Sequence, residues 1–276
     1  MAMTNFLDDI VAARRARLEV RKAEVPLDRV RATAAQRLEW ASERRDFAAA
    51  LAAPGLGVIA ELKQASPSRG VLRSDYRPRE IAPAYEAGGA VALSVLTEEQ
   101  FFQGSLTDLQ EVREATRLPV LRKDFILEAY QVYESEAAGA DALLLIVAAL
   151  DDSTLRALIN FTDQLEMAAL VEVHTEEEVS RAVVAGARLI GVNNRDLRTL
   201  EVNLETSLRL RPLIPAGVLT VSESGIGTAA HLDRLRAAGF DAVLIGERLI
   251  TQPDPGRSLE TLLENQKPET RRNQGP

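Results

Sequence analysis

The chain contains no cysteine and only two histidines, His174 and His231. The first absence excludes disulfides, thiolate metal sites and a cysteine nucleophile. The second leaves too few imidazoles for a multi-histidine metal centre. Positive charge is also scarce: 33 Lys and Arg stand against 41 Asp and Glu, a net charge of −8 over 276 residues. So acidic a chain is a poor general binder of polyanions, and no nucleic-acid-coating role is expected. One local cationic pocket for a small phosphate remains compatible with it. No apolar run approaches the roughly 20 residues of a membrane helix, so no membrane association is expected. The start, MAMTNFLDDIVAARRARLEV, has acids inside its apolar stretch and lacks the hydrophobic core of a secretory signal. The expected setting is the cytoplasm. What the chain does have is hydrophobic residues, 46% of the total, enough for a substantial core in one large domain.

From Gly57 onward one pattern repeats. Short apolar runs at GVIAELK (57–63), AVALSVL (90–96), PVLRKDF (119–125), ALLLIVAAL (142–150), ALVEVH (169–174), RLIGVNN (188–194), GVLTVSES (217–224) and DAVLIGE (241–247) read as strands. Between them lie segments such as PREIAPAYEAGGA and TEEEVSRAVVAGA, with apolar residues at three- and four-residue spacing, as in a helix with one buried face. Four of these helices run into AGGA, AGA, AGA and AGF, where Gly can end a helix in the left-handed conformation. Strand, helix, Gly stop and strand is the βα unit, which implies parallel strands. Eight units suit a closed (β/α)8 TIM barrel over 57–263. An open doubly wound sheet is the rival, but no glycine-rich turn follows GVIAELK. Residues 1–56 stand outside the repeat and read as two helices and a third turn, extra N-terminal helices able to cap an end of the barrel. The polar stretch 264–276 reads as a frayed tail.

Side chains alternate faces along a strand. Ile59, Glu61 and Lys63 share one face, as do Leu121, Lys123 and Phe125, then Leu170, Glu172 and His174, then Leu189, Gly191 and Asn193. Helix-covered strands need apolar outer faces, so these polar groups should point into the C-terminal mouth, where this fold keeps its active sites. A structural ion-pair network is the competing reading. Against it, desolvating an ion costs several kcal/mol unless its pairing is excellent, and Val or Leu would serve stability about as well. Such a cluster could do proton chemistry. Burial and neighbouring like charge would move lysines down and glutamates up toward neutral pH.

A second signal lies at the last two strands. SESGIG (222–227) and IGE (245–247) place glycines where backbone N–H groups can approach an anion, at the loops that commonly grip phosphate in this fold. Ordinary turn chemistry is the alternative. The loop QASPSRG (64–70) offers Ser66, Ser68 and Arg69 and could close over the mouth.

The runs VIAELKQASPSRG, FFQGSLTDL, PVLRKDFILEAYQVYESEAAGADALLLI, LVEVHTEEE, IGVNNRDL and VSESGI resemble, in order and spacing, the indole-3-glycerol phosphate synthase family, over about residues 45–263. The resemblance implies a (β/α)8 barrel needing no cofactor or metal. The implied reaction takes 1-(2-carboxyphenylamino)-1-deoxyribulose 5-phosphate to indole-3-glycerol phosphate, with loss of carbon dioxide and water, in tryptophan biosynthesis. It makes Lys123 the general acid on the keto oxygen. Glu61 and Lys63 orient the substrate and tune Lys123. Glu172 is the acid–base group of the dehydration, and either it or Lys63 moves the proton there. Asn193 bonds the reacting hydroxyl and holds Glu172. Glu223 and Ser224 close the polar ring, and Arg195 meets the substrate carboxylate or the network.

The same resemblance puts Ser66, Gly225 and Gly246 at the phosphate and Phe102 and Phe125 against the aromatic ring, although both phenylalanines also read as ordinary core. One departure stands out. Some family members carry Ser after the strand-eight Gly, where this chain has Glu247. A carboxylate would repel phosphate, so Glu247 is expected to turn away. His174 reads as a loop anchor and His231 as a surface or interhelical residue. The rivals are a phosphosugar isomerase, a lyase using Lys123 as a Schiff-base amine, and a non-catalytic phosphate-binding barrel. The partner expected is the small phosphosugar alone. The sequence leaves the oligomeric state open, a monomer being the working expectation.

Overall fold

All eight apolar runs form strands. The structure, a computed structural model, describes residues 6–39 and 44–265. The strands are β1 (Gly57–Leu62), β2 (Ala92–Leu96), β3 (Val120–Lys123), β4 (Ala142–Ile146), β5 (Ala168–Val173), β6 (Leu189–Asn193), β7 (Leu219–Glu223) and β8 (Ala242–Ile245). Each pairs in parallel with its neighbours in chain order, and β8 closes on β1 with Ala242 opposite Gly57. The sheet is therefore a closed (β/α)8 barrel and not the open alternative. Both faces of such a strand are covered, which is why the runs are almost continuously apolar.

The inner face packs Ile59, Leu121, Leu144, Leu170, Val221 and Leu244 against one another. The outer face packs Val58, Leu93, Val120, Leu143, Val171 and Val243 against the surrounding helices. Those helices are α4 (Pro78–Ala87), α5 (Leu106–Ala115), α6 (Ala129–Ala138), α7 (Asp152–Gln164), α8 (Glu176–Ala185), α9 (Glu205–Leu210), α10 (Ala229–Ala237), α11 (Glu247–Ile250) and α12 (Pro255–Glu264). Side chains of Ser105, Asp151, Thr175, Thr228 and Asp254 accept N–H groups of the first turns they precede. α6 and α8 end at Gly139 and Gly186, with φ of +99° and +92°, as the Gly-stop pattern leads one to expect.

The N-terminal helices α1 (Phe6–Glu24), α2 (Leu27–Glu39) and α3 (Phe47–Leu51) do not act as one cap. Phe47 and Leu51 of α3 join the inner core beside Leu189 and Leu219, at the N-terminal ends of the strands. α2 packs along α6. α1 runs past the opposite end: Leu7 and Ile10 join Phe102 and Phe125, and the Phe6 ring meets Phe101 edge-on at 5.9 Å. The expected tail begins inside α12, which reaches Glu264, and 266–276 lie outside the described residues. Among the described residues, no helix is long and apolar enough to cross a membrane.

A buried ionic cluster fastens α1 to the end of β3. Asp124 accepts from Arg14 at 2.6 Å, from Thr97 Oγ1 at 2.6 Å and from Arg122 at 2.9 Å. Arg122, wholly buried, also reaches Glu134 at 2.9 Å and Ser135 at 3.1 Å. The other Asp124 oxygen accepts the Phe125 N–H at 2.8 Å, which fixes the turn directly after Lys123. Asp124→Ala would leave two guanidinium groups without this shared carboxylate. It should cost about 3–5 kcal/mol of stability, read as a fall in the urea midpoint. An unchanged midpoint would mean that the cluster does not hold the barrel to its first helix.

Candidate active site

The C-terminal mouth of the barrel is a cavity of about 650 Å3. Glu61, Lys63, Phe102, Lys123, Phe125, Glu172, Asn193, Arg195, Ser224, Gly225 and Gly246 all line it. Alternation puts the strand residues there: Glu61, Lys123 and Glu172 stand two residues beyond the inward-facing Ile59, Leu121 and Leu170, near the strand ends where the sheet opens to water.

Lys123 lies at the centre. Its Nζ donates to Glu223 Oε2 at 2.5 Å and stands 3.4 Å from Glu172 Oε2. Glu61 and Lys63 form a second pair, at 2.6 Å. Neither Glu172 nor Glu223 is more than 2% exposed. Two glycines make room for carboxylates: a Cβ on Gly191 would overlap the Glu223 side chain, and one on Gly246 would overlap Glu61. Asn193 Oδ1 accepts the Arg195 N–H at 3.0 Å, which leaves its amide to donate toward Glu172.

The electrostatics differ from the expected pattern for Lys123 and Glu172. Burial works against charge on Lys123, but Glu223, Glu172 and Glu61 outweigh it and raise its pKa. Burial likewise works against ionisation of Glu172, yet Lys123, then His174 and Asn193, hold its carboxyl down at about 2. Only Glu223 moves toward neutrality. Burial raises it, Lys123 lowers it, and repulsion from Glu172 adds to the rise, leaving it at about 7. The resting centre is thus a persistent ammonium, a persistent carboxylate and one carboxyl near its midpoint. The expectation of a lysine lowered toward neutral pH fails because three carboxylates, and no cation, stand nearest to it.

Gly225, Gly227 and Gly246 lie together on one side of the cavity. Ser66 lies apart from them. Its residue pair Ala65–Ser66 forms a short antiparallel ladder with Gly70–Val71, and Ser66 lines a side lobe of about 80 Å3 with Phe6, Leu7, Ile10, Phe102 and Phe125. The Ser66 hydroxyl is buried and has no hydrogen-bond partner among the described residues. Glu247 does not leave the mouth. It stays on the cavity wall, paired with Arg69 at 2.5 Å and 4.0 Å from Arg195, so its charge is met by cations rather than turned away. His231 also lines the cavity.

Three supporting residues are given no part in the site by the sequence reading, although Asn194 and His174 lie within quoted motifs. Glu98 accepts the N–H groups of Gln100, Phe101 and Phe102 at 3.0, 2.7 and 3.1 Å and so shapes the loop that presents Phe102. Asn194 donates to the Ser224 carbonyl at 3.0 Å and ties the loop after β6 to the loop after β7. His174 is more than a loop anchor, since its Nε2 lies 3.3 Å from Glu172 Oε1. The i, i+2 spacing of Glu172 and His174 was the available signal.

Gly225 has φ +76°, and a Cβ there would run into Val202. Gly225→Ala should raise KM about tenfold with a smaller change in kcat, because a charged hydrogen-bond acceptor is worth ~1.5–3 kcal/mol and sits away from the reacting atoms. Steady-state kinetics of the variant decide this. An unchanged KM would remove the loop after β7 from substrate binding.

The family model for indole-3-glycerol phosphate synthase matches residues 7–262. The chain is 50% identical over 263 residues to the indole-3-glycerol phosphate synthase of Mycolicibacterium smegmatis, covering 95% of each chain. It is 48% identical over 262 residues to that of Carboxydothermus hydrogenoformans, covering 94% of this chain and 99% of the relative. Among solved structures, a 3-hexulose-6-phosphate synthase superposes with a TM-score of 0.58 at 14% identity, over 75% of this chain and 98% of that one, and shows the shared barrel alone. With its mouth lined as described, the chain belongs to the indole-3-glycerol phosphate synthase family.

Proposed function

We propose that the protein is a cytoplasmic carboxy-lyase that converts 1-(2-carboxyphenylamino)-1-deoxyribulose 5-phosphate to indole-3-glycerol phosphate in tryptophan biosynthesis. In this reading it works as one domain, with 1–56 as a helical extension of the barrel. The observation that carries the reading is the Lys123 ammonium, held among Glu223, Glu172 and Glu61 in a cavity with an apolar wall on one side and glycine loops on another.

The chemistry has three steps. The aromatic carbon bearing the carboxylate attacks the keto carbon, and the carbonyl electron pair moves to oxygen, which takes a proton from Lys123. Carbon dioxide then leaves, and its bonding pair restores the aromatic ring. Finally the new hydroxyl takes a second proton, from the Lys63 ammonium, and leaves as water, while a base removes the ring proton so that its bonding pair completes the indole double bond. A preorganised cation beside the developing alkoxide favours the first step. The 2.5 Å contact between Lys123 and Glu223, with Glu223 near pH 7, supports return of the proton to Lys123 from a neighbour that exchanges it at neutral pH. Glu172, kept ionised, suits the base of the last step.

Glu61 fixes Lys63 at 2.6 Å, which supports a part for that pair in orienting the substrate. Phe102 and Phe125 suit the aromatic ring. Arg195 suits its carboxylate, and Asn193 the hydroxyl. Gly225, Gly246 and the Ser224 backbone suit the phosphate, while Ser66 in the side lobe fits the ring end better. The test is to incubate the protein with the phosphosugar and follow indole absorbance and released carbon dioxide together. Equal rates of the two are expected. A consumed substrate that yields neither would point to an isomerase.

A further inference from the structure

Glu172 is held from both sides. One oxygen faces Lys123, at 3.4 Å, and the other faces His174 Nε2, at 3.3 Å. His174 is held in turn: Glu178, in the first turn of α8, accepts both the His174 backbone N–H at 2.7 Å and its ring Nδ1 at 3.0 Å. Thr175 Oγ1 caps the Glu178 N–H at 3.2 Å, so the start of α8 fixes this carboxylate. His174 Nε2 is buried and, among the described residues, forms no aligned hydrogen bond; the carboxylate within 4 Å of it is Glu172. A residue with these contacts is over-built for anchoring a loop.

We infer that His174, clamped by Glu178, is a positioning residue for catalysis: a fixed cation that orients the Glu172 carboxylate toward Lys123 and keeps it ionised as the base of dehydration. The inference rests on the assignment of Glu172 to that step. The charged groups around the pair are few. Lys123 from β3 faces Glu172, Glu223 from β7 stands on the far side of Lys123, and Glu61 from β1 lies across the mouth; Glu178 from α8 faces His174. Burial opposes charge on His174, but its two carboxylates outweigh that and raise it to about 10. At neutral pH the ring therefore bears both protons, and Glu172 loses an adjacent positive charge only if the ring itself is removed.

The chain has only two histidines, so imidazole 15N signals are few and His174→Gln and His231→Gln assign them. The His174 ring should stay doubly protonated from pH 6 to 8.5, and a neutral ring at pH 7 overturns the inference. The Glu172 carboxyl 13C signal should titrate at least about one pH unit higher in His174→Gln than in the native protein, because a neighbouring cation lowers a carboxyl by that much or more. At the plateau kcat should fall about tenfold with KM changing less than about twofold. An unmoved Glu172 titration sinks the inference. If His174→Gln does not fold, Glu178→Gln replaces it, and the His174 midpoint should then fall by about one unit or more; an unmoved midpoint counts against the clamp. The titrations need no turnover. A protein inactive on the phosphosugar but with a shifted Glu172 refutes the proposed reaction and leaves the coupling standing.

Discussion

Lys123→Ala should lower kcat by at least about a hundredfold, the low end of what a positioned acid contributes, with the barrel still folded by circular dichroism. Among the described residues, the ammonium is the one cation paired with both Glu172 and Glu223. Without it, no donor stands at the centre of the mouth to meet an alkoxide, and Lys63 is already engaged with Glu61. Loss of the cation also leaves carboxylates facing one another. Glu223, already pushed up to about 7 by burial and by Glu172, is the group that will take up a proton to relieve this. The variant should thus survive with its electrostatics rearranged. Arginine should not restore activity, since a planar guanidinium differs from an ammonium in shape and is a far weaker acid. A Lys123→Ala enzyme within about tenfold of the native rate would remove Lys123 from the mechanism.

Glu172→Gln should be about as damaging to indole formation, and in a different way. The substitution keeps the shape and removes the base. If Glu172 serves the dehydration, ring closure and decarboxylation still proceed, so carbon dioxide should outrun indole, whose rate falls at least about a hundredfold. Equal and near-normal rates of both products would assign the proton transfer to Lys63 instead. The native enzyme adds a pH signature. A carboxyl held at about 2 by Lys123, His174 and Asn193 against burial keeps its base form as pH falls through the ordinary carboxylate range. A loss of native activity with a midpoint near pH 7 is therefore expected to follow the Lys123–Glu223 pair, since burial and Glu172 push the Glu223 carboxyl up to about 7.

The parts of the molecule legible in its sequence are those governed by local periodicity. Apolar runs, four of them preceded by Gly stops, mark every barrel strand, and alternation alone put Glu61, Lys123, Glu172 and Asn193 in the mouth. What alternation cannot tell is which charges become neighbours. Lys123 and Glu223 are 100 residues apart, and their contact at 2.5 Å raises Lys123 and restrains the rise that burial gives Glu223. Arg14 and Asp124 are 110 apart, and nothing near either announces the cluster beneath Phe125. The family resemblance puts Ser66 with the phosphate, and its loop after β1 agrees with that. The ladder to Gly70–Val71 instead turns it into the side lobe. The N-terminal extension was legible as helices, but its division between two ends of the barrel depends on long-range packing: Phe47 below, Leu7 and Ile10 above.

The central claim is that Lys123 acts as an ammonium acid and never as a free amine. Borohydride added during turnover of the ketone substrate, followed by intact-mass measurement, tests it directly. An imine needs an unprotonated lysine, and the carboxylates around Lys123 favour its charged form. The account predicts an unchanged protein mass and continued indole formation. A mass increase equal to the reduced substrate, located on Lys123, would contradict it.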